Sequence, residues 1–263
     1  MFEFERPYLL QDKTPRQSQL FGRHIYLLEQ AGQHYWLKLQ LPHGHTQFQQ
    51  GFACEVACYD QWQNLQPSFL LPYQYVSALN LPEFPQTAQG LLLPHVPEAF
   101  STLSQLTHID VIKRIRMALE QLDELHMLGY VHGDIKAAHF RYATQQIFLI
   151  DFEQTRPIHG AGSILNATPR YMAPELFHAQ PKTIQTDLYA LGVVLYEWLT
   201  QTRLSSKSYL DWAVFHCQSA EFNLPEPWSV LQPCLEGLLA RDFKYRFESA
   251  KQATRCLETI KLY

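Results

Sequence analysis

Two aspartates in this chain of 263 residues have the setting that phosphate chemistry requires. Asp134 lies in HGDIKAAHF (132–140) and Asp151 in LIDFE (149–153). Each follows a short apolar run, Tyr130-Val131 before the first and IFLI (147–150) before the second, so each carboxylate is expected in a loop at a strand end. Carboxylates on neighbouring loops suit phosphoryl transfer: one orients the attacking hydroxyl and the other holds the metal on the phosphates. The bland alternative is a pair of surface aspartates near strand ends.

The elements that must carry these loops are legible on both sides. Residues 16–39 alternate like a twisted hairpin, with a turn at Ala31-Gly32. In 47–65, Phe48, Phe52, Val56 and Tyr59 recur at helical spacing, which predicts an amphipathic helix with Glu55 beside its apolar stripe. Prolines 67, 72, 82, 85, 94 and 97 surround two apolar runs, YQYVSAL and GLLLPHV, that read as short strands. Ser101 to Leu106 reads as a short helix. Asp110 to Leu128 reads as a long one, with Val111, Ile115, Leu119, Leu122 and Leu125 on its stripe and Gly129 as C-cap. IFLI (147–150) reads as a buried strand, and apolar helices follow around 209–217, 230–240 and 249–261.

Composition narrows the function. The length fits one large domain or two small lobes. A net charge of −4 and a pI near 6.3 exclude a general basic field for nucleic acid. No run of 18 apolar residues predicts a transmembrane helix, and MFEFERPYLLQDK has no apolar leader core, so no secretory signal is expected. Cys54 and Cys58 stand one helical turn apart, but no second pair or histidine completes a zinc pattern. With Cys217, Cys234 and Cys256 they are expected as reduced core thiols of a cytoplasmic protein.

His-x-Asp, a lysine two residues on, then Asp-Phe-x, TPRYMAPE (168–175), TDLYALGVVLYEWLT (186–200) and LLARDFKYRF (238–247) together resemble the protein kinase superfamily, serine/threonine rather than tyrosine kinases. The resemblance spans roughly residues 16–260, strongly in the C-terminal two-thirds. It implies an α+β bilobal fold in a single kinase-like domain over 1–263: a β-rich N-lobe (about 1–94), a hinge (94–97) and an α-helical C-lobe (97–263).

The resemblance also implies roles. Lys38 contacts the ATP phosphates and pairs with Glu55, because a buried carboxylate needs a cationic partner. Gly22 remains from the phosphate-covering loop, Trp36 and His24 roof the adenine pocket, and Pro94 and Val96 contact the base through backbone C=O and N–H. Asp134 receives or orients the hydroxyl proton, Lys136 neutralises γ-phosphate charge, and Asp151 holds Mg²⁺ or Mn²⁺. Asp187 accepts backbone N–H bonds from the catalytic loop, and Glu175 pairs with Arg246 in the interior.

Departures are specific. QSQLFG replaces the glycine-rich loop, Glu153 the glycine of Asp-Phe-Gly, and His139 the asparagine that binds a second metal; an imidazole there favours Mn²⁺ over Mg²⁺. Gly133 replaces an arginine, so switching by phosphorylation of Ser163 or Thr168 is not implied. The expected partner is a protein, as substrate or as regulated partner. A pseudokinase or nucleotide-sensing scaffold is the second reading. A small-molecule kinase, acting on aminoglycosides, choline or lipopolysaccharide sugars, is the third.

Overall fold

The structure is a computed structural model that describes residues 2–42, 45–79, 81–85, 88–160, 167–205 and 208–260. It divides into two compact units, Met1–Pro97 with Ile150–Glu153, and Glu98–Leu149 with Gln154–Tyr263. Among the described residues no helix is long and apolar enough to cross a membrane. All five cysteines are free thiols, Cys58 and Cys234 buried and the other three half-buried.

The first unit is an antiparallel sheet of β1 (Leu9–Asp12), β2 (Arg23–Gln30), β3 (Gln33–Gln40), β4 (Gln74–Leu79) and β5 (Ala88–Pro94), in the order β1-β2-β3-β5-β4. The β2–β3 turn at Ala31 and Gly32 has positive φ at both positions, the twist that a two-residue hairpin needs. Strand alternation then sorts the side chains. Tyr26, Leu28, Leu37, Leu39 and Leu92 form a core cluster with Phe2 and Phe84, while Ile25 pairs with Lys38 and Leu27 with Trp36 on the other face.

Two expectations are corrected in this unit. Residues 16–20 do not begin a strand; Arg16–Leu20 is a short helix, α1, and Gly22 follows it at φ 77°, where a chain leaving a helix turns left-handed. The strand pairing with β2 is Leu9–Asp12, whose side chains are all exposed and therefore carry no alternation signal. In α2 (Thr46–Trp62) the buried face is Gly51, Phe52, Glu55, Cys58, Tyr59 and Trp62, with Phe48 and Val56 half-buried. Glu55 therefore sits inside that face rather than beside it. Phe152 packs edge-on against Tyr59 and Trp62, with ring centres 5.4 and 5.1 Å away, which fastens the segment carrying Asp151 to this unit.

The second unit is mainly helical. α3 (His108–Met127) starts at a capping box, in which Thr107 Oγ1 accepts from Asp110 N–H and Asp110 accepts from Thr107 N–H. The helix expected over 101–106 is a turn closed by Leu106 N–H to Leu103 O. The loops of interest are framed by two short ladders, β6 (Tyr130–Val131) with β9 (Arg156–Pro157) and β7 (Phe140–Ala143) with β8 (Gln146–Leu149). α4 (Ile184–Thr200) is buried along most of its length. A Cβ at its Gly192 would stand 2.7 Å from Leu239 of α6 (Gln232–Leu239), so only glycine allows that approach. α5 (Tyr209–Val214) runs on as a wider turn over Phe215–Ser219, and α7 (Ala250–Glu258) closes the unit.

Arg246 ties the 168–175 segment down. Its guanidinium grips Glu175 through both nitrogens at 2.6 and 3.0 Å, donates to Ala240 O and Gln185 O at 3.0 Å, and lies 4.9 Å from the Tyr189 ring centre. Stranding one member of a buried pair costs on the order of 3–5 kcal/mol. Arg246→Ala should therefore lose about that much stability in urea unfolding; an unchanged midpoint would mean that the pair contributes nothing.

Candidate active site

In the first unit, three carboxylates converge on one ammonium. Lys38 Nζ lies 2.7 Å from Glu55 Oε2, 2.9 Å from Asp151 Oδ1 and 2.8 Å from Glu153 Oε1. Strand parity puts Lys38 on the face opposite the core leucines, and the buried face of α2 supplies Glu55, which is 1% exposed. The other Glu55 oxygen accepts Phe152 N–H at 3.3 Å. Burial opposes the charge on Lys38, but Asp151, Glu153 and Glu55 outweigh it and hold its pKa above the ordinary lysine value. Glu55 moves up to about 7, driven by burial against the pull of Lys38 and reinforced by Asp151 and Glu153.

Glu153, noted in the sequence only as a lost glycine, is thus a full member of the cluster. It brings a second cation that sequence reasoning missed: Arg23 Nη1 bonds Glu153 Oε1, and Arg23 Nε bonds Gln40 Oε1 at 3.0 Å. Arg23 is 5% exposed, so it too needs its anion. Its only sequence signal is a second long cation on the same strand face as Lys38. Asp151 adopts φ 67°, a left-handed conformation that costs a non-glycine residue on the order of 1–3 kcal/mol and clusters at functional sites.

Glu55, Asp151 and Glu153 each place one carboxylate oxygen within 4.8 Å of the others. An all-oxygen set of this kind fits Mg²⁺ or Mn²⁺. Trp36 shares the face of Lys38, and its indole N–H donates to His95 Nδ1 at 2.8 Å. His24 does not join it. It lies on the opposite face, stacked 6.2 Å from Tyr26 and buried, and burial lowers its pKa. Counting from Gly22 misses this because β2 pairs Ile25, not His24, with Lys38. Pro94 ends β5 opposite Tyr35, and Val96 is buried two residues on.

In the second unit, Asp134 Oδ1 accepts from both Thr168 N–H (3.1 Å) and Thr168 Oγ1 (2.9 Å), while Lys136 Nζ lies 3.2 Å from Oδ2. His139 Nδ1 lies 2.9 Å from the Asp134 carbonyl, so that nitrogen carries the proton and a metal would meet Nε2. Asp187 receives His132 N–H at 2.7 Å and Gly133 N–H at 2.9 Å, with His126 Nε2 at 3.1 Å. Burial opposes its charge, but these donors prevail and keep its pKa below the usual aspartate value. Ser163 lies outside the described residues.

Gly133 is confined rather than empty. At φ 77° a Cβ there would stand 2.5 Å from Gln154 O, 3.0 Å from Lys182 Cδ and 3.2 Å from Lys182 Nζ. Where the kinase resemblance implies an arginine at 133, Lys182 brings a cation to the same spot from another segment. It is 8% exposed. Burial lowers its pKa to about 8, with Asp134 and Asp187 pulling upward and Arg156 downward. A folded pKa below the ordinary 10.5 means that the cost of burying the charge is present below pH 8 and is relieved between pH 8 and 10.5. Wild type should therefore gain stability relative to Lys182→Met across that window in urea unfolding at stepped pH. Parallel curves for the two proteins would contradict the assignment.

The comparisons with known proteins agree with this geometry. A family model described as the protein kinase domain matches residues 88–255. Smooth muscle myosin light chain kinase of Gallus gallus is 34% identical over 97 residues, covering 35% of this chain and 5% of that protein. A protein of Corynebacterium efficiens described as serine/threonine-protein kinases drp72 is 28% identical over 182 residues, covering 66% of this chain and 34% of its own length. The matched stretches thus span about a third or less of these relatives. The solved structure of the Cydia pomonella granulovirus kinase PK-1 superposes with a TM-score of 0.68 over 94% of this chain and 92% of that one, at 17% identity, a likeness of fold. With a kinase family model covering more than half of it, the chain belongs to the protein kinase family.

Proposed function

We propose that the chain is an ATP-dependent serine/threonine protein kinase that works in the cytoplasm. The observation that carries this reading is Lys38 held by Glu55 and Asp151 in one unit. The Asp134–Lys136 pair in the other unit supports it. In the proposed reaction a serine or threonine oxygen attacks the γ-phosphorus and its proton passes to Asp134. The bond from that phosphorus to the bridging oxygen breaks, and ADP leaves with the electron pair. Lys38 offers its ammonium to the phosphates, and Lys136 offset charge on the transferred group. A divalent ion, when bound, supplies charge neutralisation on the phosphates, and Asp151 with Glu55 or Glu153 would hold it. The firm anchoring of 168–175 through Glu175 and Arg246 favours a polypeptide substrate over a small metabolite.

One observation favours a second reading, a nucleotide-sensing scaffold without efficient transfer. α1 occupies the stretch where a glycine-rich backbone would approach the phosphates, and Glu153 competes with them for Lys38. Incubation with labelled ATP and Mg²⁺ or Mn²⁺ separates the two readings. The kinase reading predicts label on serine or threonine. It also predicts loss of label in Asp151→Asn and a drop on the order of 10²–10⁴-fold in Asp134→Asn. Binding of ATP with no label in wild type would establish the scaffold instead.

A further inference from the structure

A lysine ammonium has three N–H donors. Those of Lys38 are already aimed at carboxylate oxygens of Glu55, Asp151 and Glu153. This ammonium can meet a nucleotide phosphate only if one carboxylate lets go. We propose that Arg23 is a positioning residue for nucleotide binding: it takes Glu153 over from Lys38 and so frees one donor for the phosphates. The proposal rests on the nucleotide half of the kinase reading and names the residue that opens its lysine.

The three carboxylates are not equally free to leave. Glu55 is 1% exposed and its second oxygen accepts Phe152 N–H, so losing Lys38 would strand a buried charge. Asp151 is the group that the divalent ion would claim. In Glu153 a single oxygen, Oε1, accepts from Lys38 and from Arg23 together. When Lys38 turns to a phosphate, that oxygen still has a cation against it, and its charge is not left unpaired.

Arg23 is the stationary end of this exchange. Its Nε donates to Gln40 Oε1 at 3.0 Å and its Nη2 to Phe48 O at 3.3 Å. Its guanidinium carbon lies 5.9 and 5.7 Å from the Phe48 and Phe52 ring centres. A planar guanidinium fixed by such contacts keeps its fork turned to Glu153. Register puts it there: Arg23 pairs with Gln40, two residues along from the Ile25–Lys38 pair and on the same sheet face. α2 leaves the space, since a Cβ on Gly51 would stand 3.0 Å from Glu153 Oε2. The Lys38 side chain is 20% exposed and that of Arg23 6%, so the lysine is the cation a ligand reaches.

The test uses the whole chain as wild type, Arg23→Met, Glu153→Gln and the double variant. Affinity for a fluorescent ATP analogue is read in EDTA, where no metal draws Asp151 away and Glu153 is the contact a phosphate must displace. Melting curves check each fold, and transfer from labelled ATP with Mg²⁺ or Mn²⁺ is read separately. Arg23→Met leaves Glu153 to Lys38 and should weaken the analogue on the order of tenfold, whereas Glu153→Gln should tighten it. In the Glu153→Gln background, Arg23→Met should change nothing more, a coupling that the double-mutant cycle measures. Arg23→Gln replaces Arg23→Met, with the same expectations, if the latter does not fold. An equal loss from Arg23→Met in both backgrounds would mean that it acts through charge or fold alone, and would overturn the proposal. Unchanged affinity in Arg23→Met, or no analogue bound by wild type, would overturn it too. Coupled affinities without transfer would uphold the role of Arg23 and sink the kinase reading. Transfer by wild type without the coupling would do the reverse.

Discussion

The ammonium of Lys38, held among three carboxylates, is the interaction on which the first unit is built. Ionised groups leave water only when partners replace it, and Glu55 on its own would be pushed to neutrality by burial. Lys38 offsets that burial and at the same time joins α2 to the segment carrying Asp151. Glu153 adds an anion beyond what one ammonium balances, and Arg23 is the local answer to it. The same contacts hold Asp151 in its left-handed conformation, helped by Phe152 among its aromatic neighbours.

The second unit solves a similar problem with the signs reversed. There a buried anion, Asp187, organises the backbone by accepting His132 and Gly133 N–H groups, and so fixes where Asp134 begins. Lys182 supplies positive charge next to that loop, and Arg246 holds the 168–175 segment through Glu175. Each carboxylate with a proposed role is thus positioned by another charge further inside, which is why the ionic groups of this chain are concentrated around a few loops.

Much of this was legible in the sequence. HGDIK, DFE, TPRYMAPE and the Asp187 helix are contiguous, so local spacing was enough to identify their loops, and the kinase resemblance, not spacing, supplied the Glu175–Arg246 and Lys38–Glu55 pairs. What escaped was set by register and tertiary distance. The buried face of α2 is turned so that Glu55 is central, because Gly51 and Cys58 pack inward while Phe48 and Val56 stay half-buried. His24 sits on the core face because β2 is paired one residue away from the motif count. Arg16–Leu20 is a helix where the alternation of 16–39 reads as the start of a hairpin. The partnerships of Arg23 with Glu153 and of Lys182 with the loop at Gly133 join residues far apart in sequence. A glycine where a long cation is expected was the one available hint that charge would arrive from elsewhere.

If Lys38 is kept charged and poised by its carboxylates so that it can turn to nucleotide phosphates, removing its charge must remove nucleotide binding. Calorimetric titration of ATP with Mg²⁺ or Mn²⁺ into wild type and Lys38→Met tests this directly. The expected result is saturable binding to wild type and a loss of affinity on the order of tenfold or more in the variant, about 1.4 kcal/mol at least. Equal affinity in the two proteins, or no binding to wild type, would contradict the account.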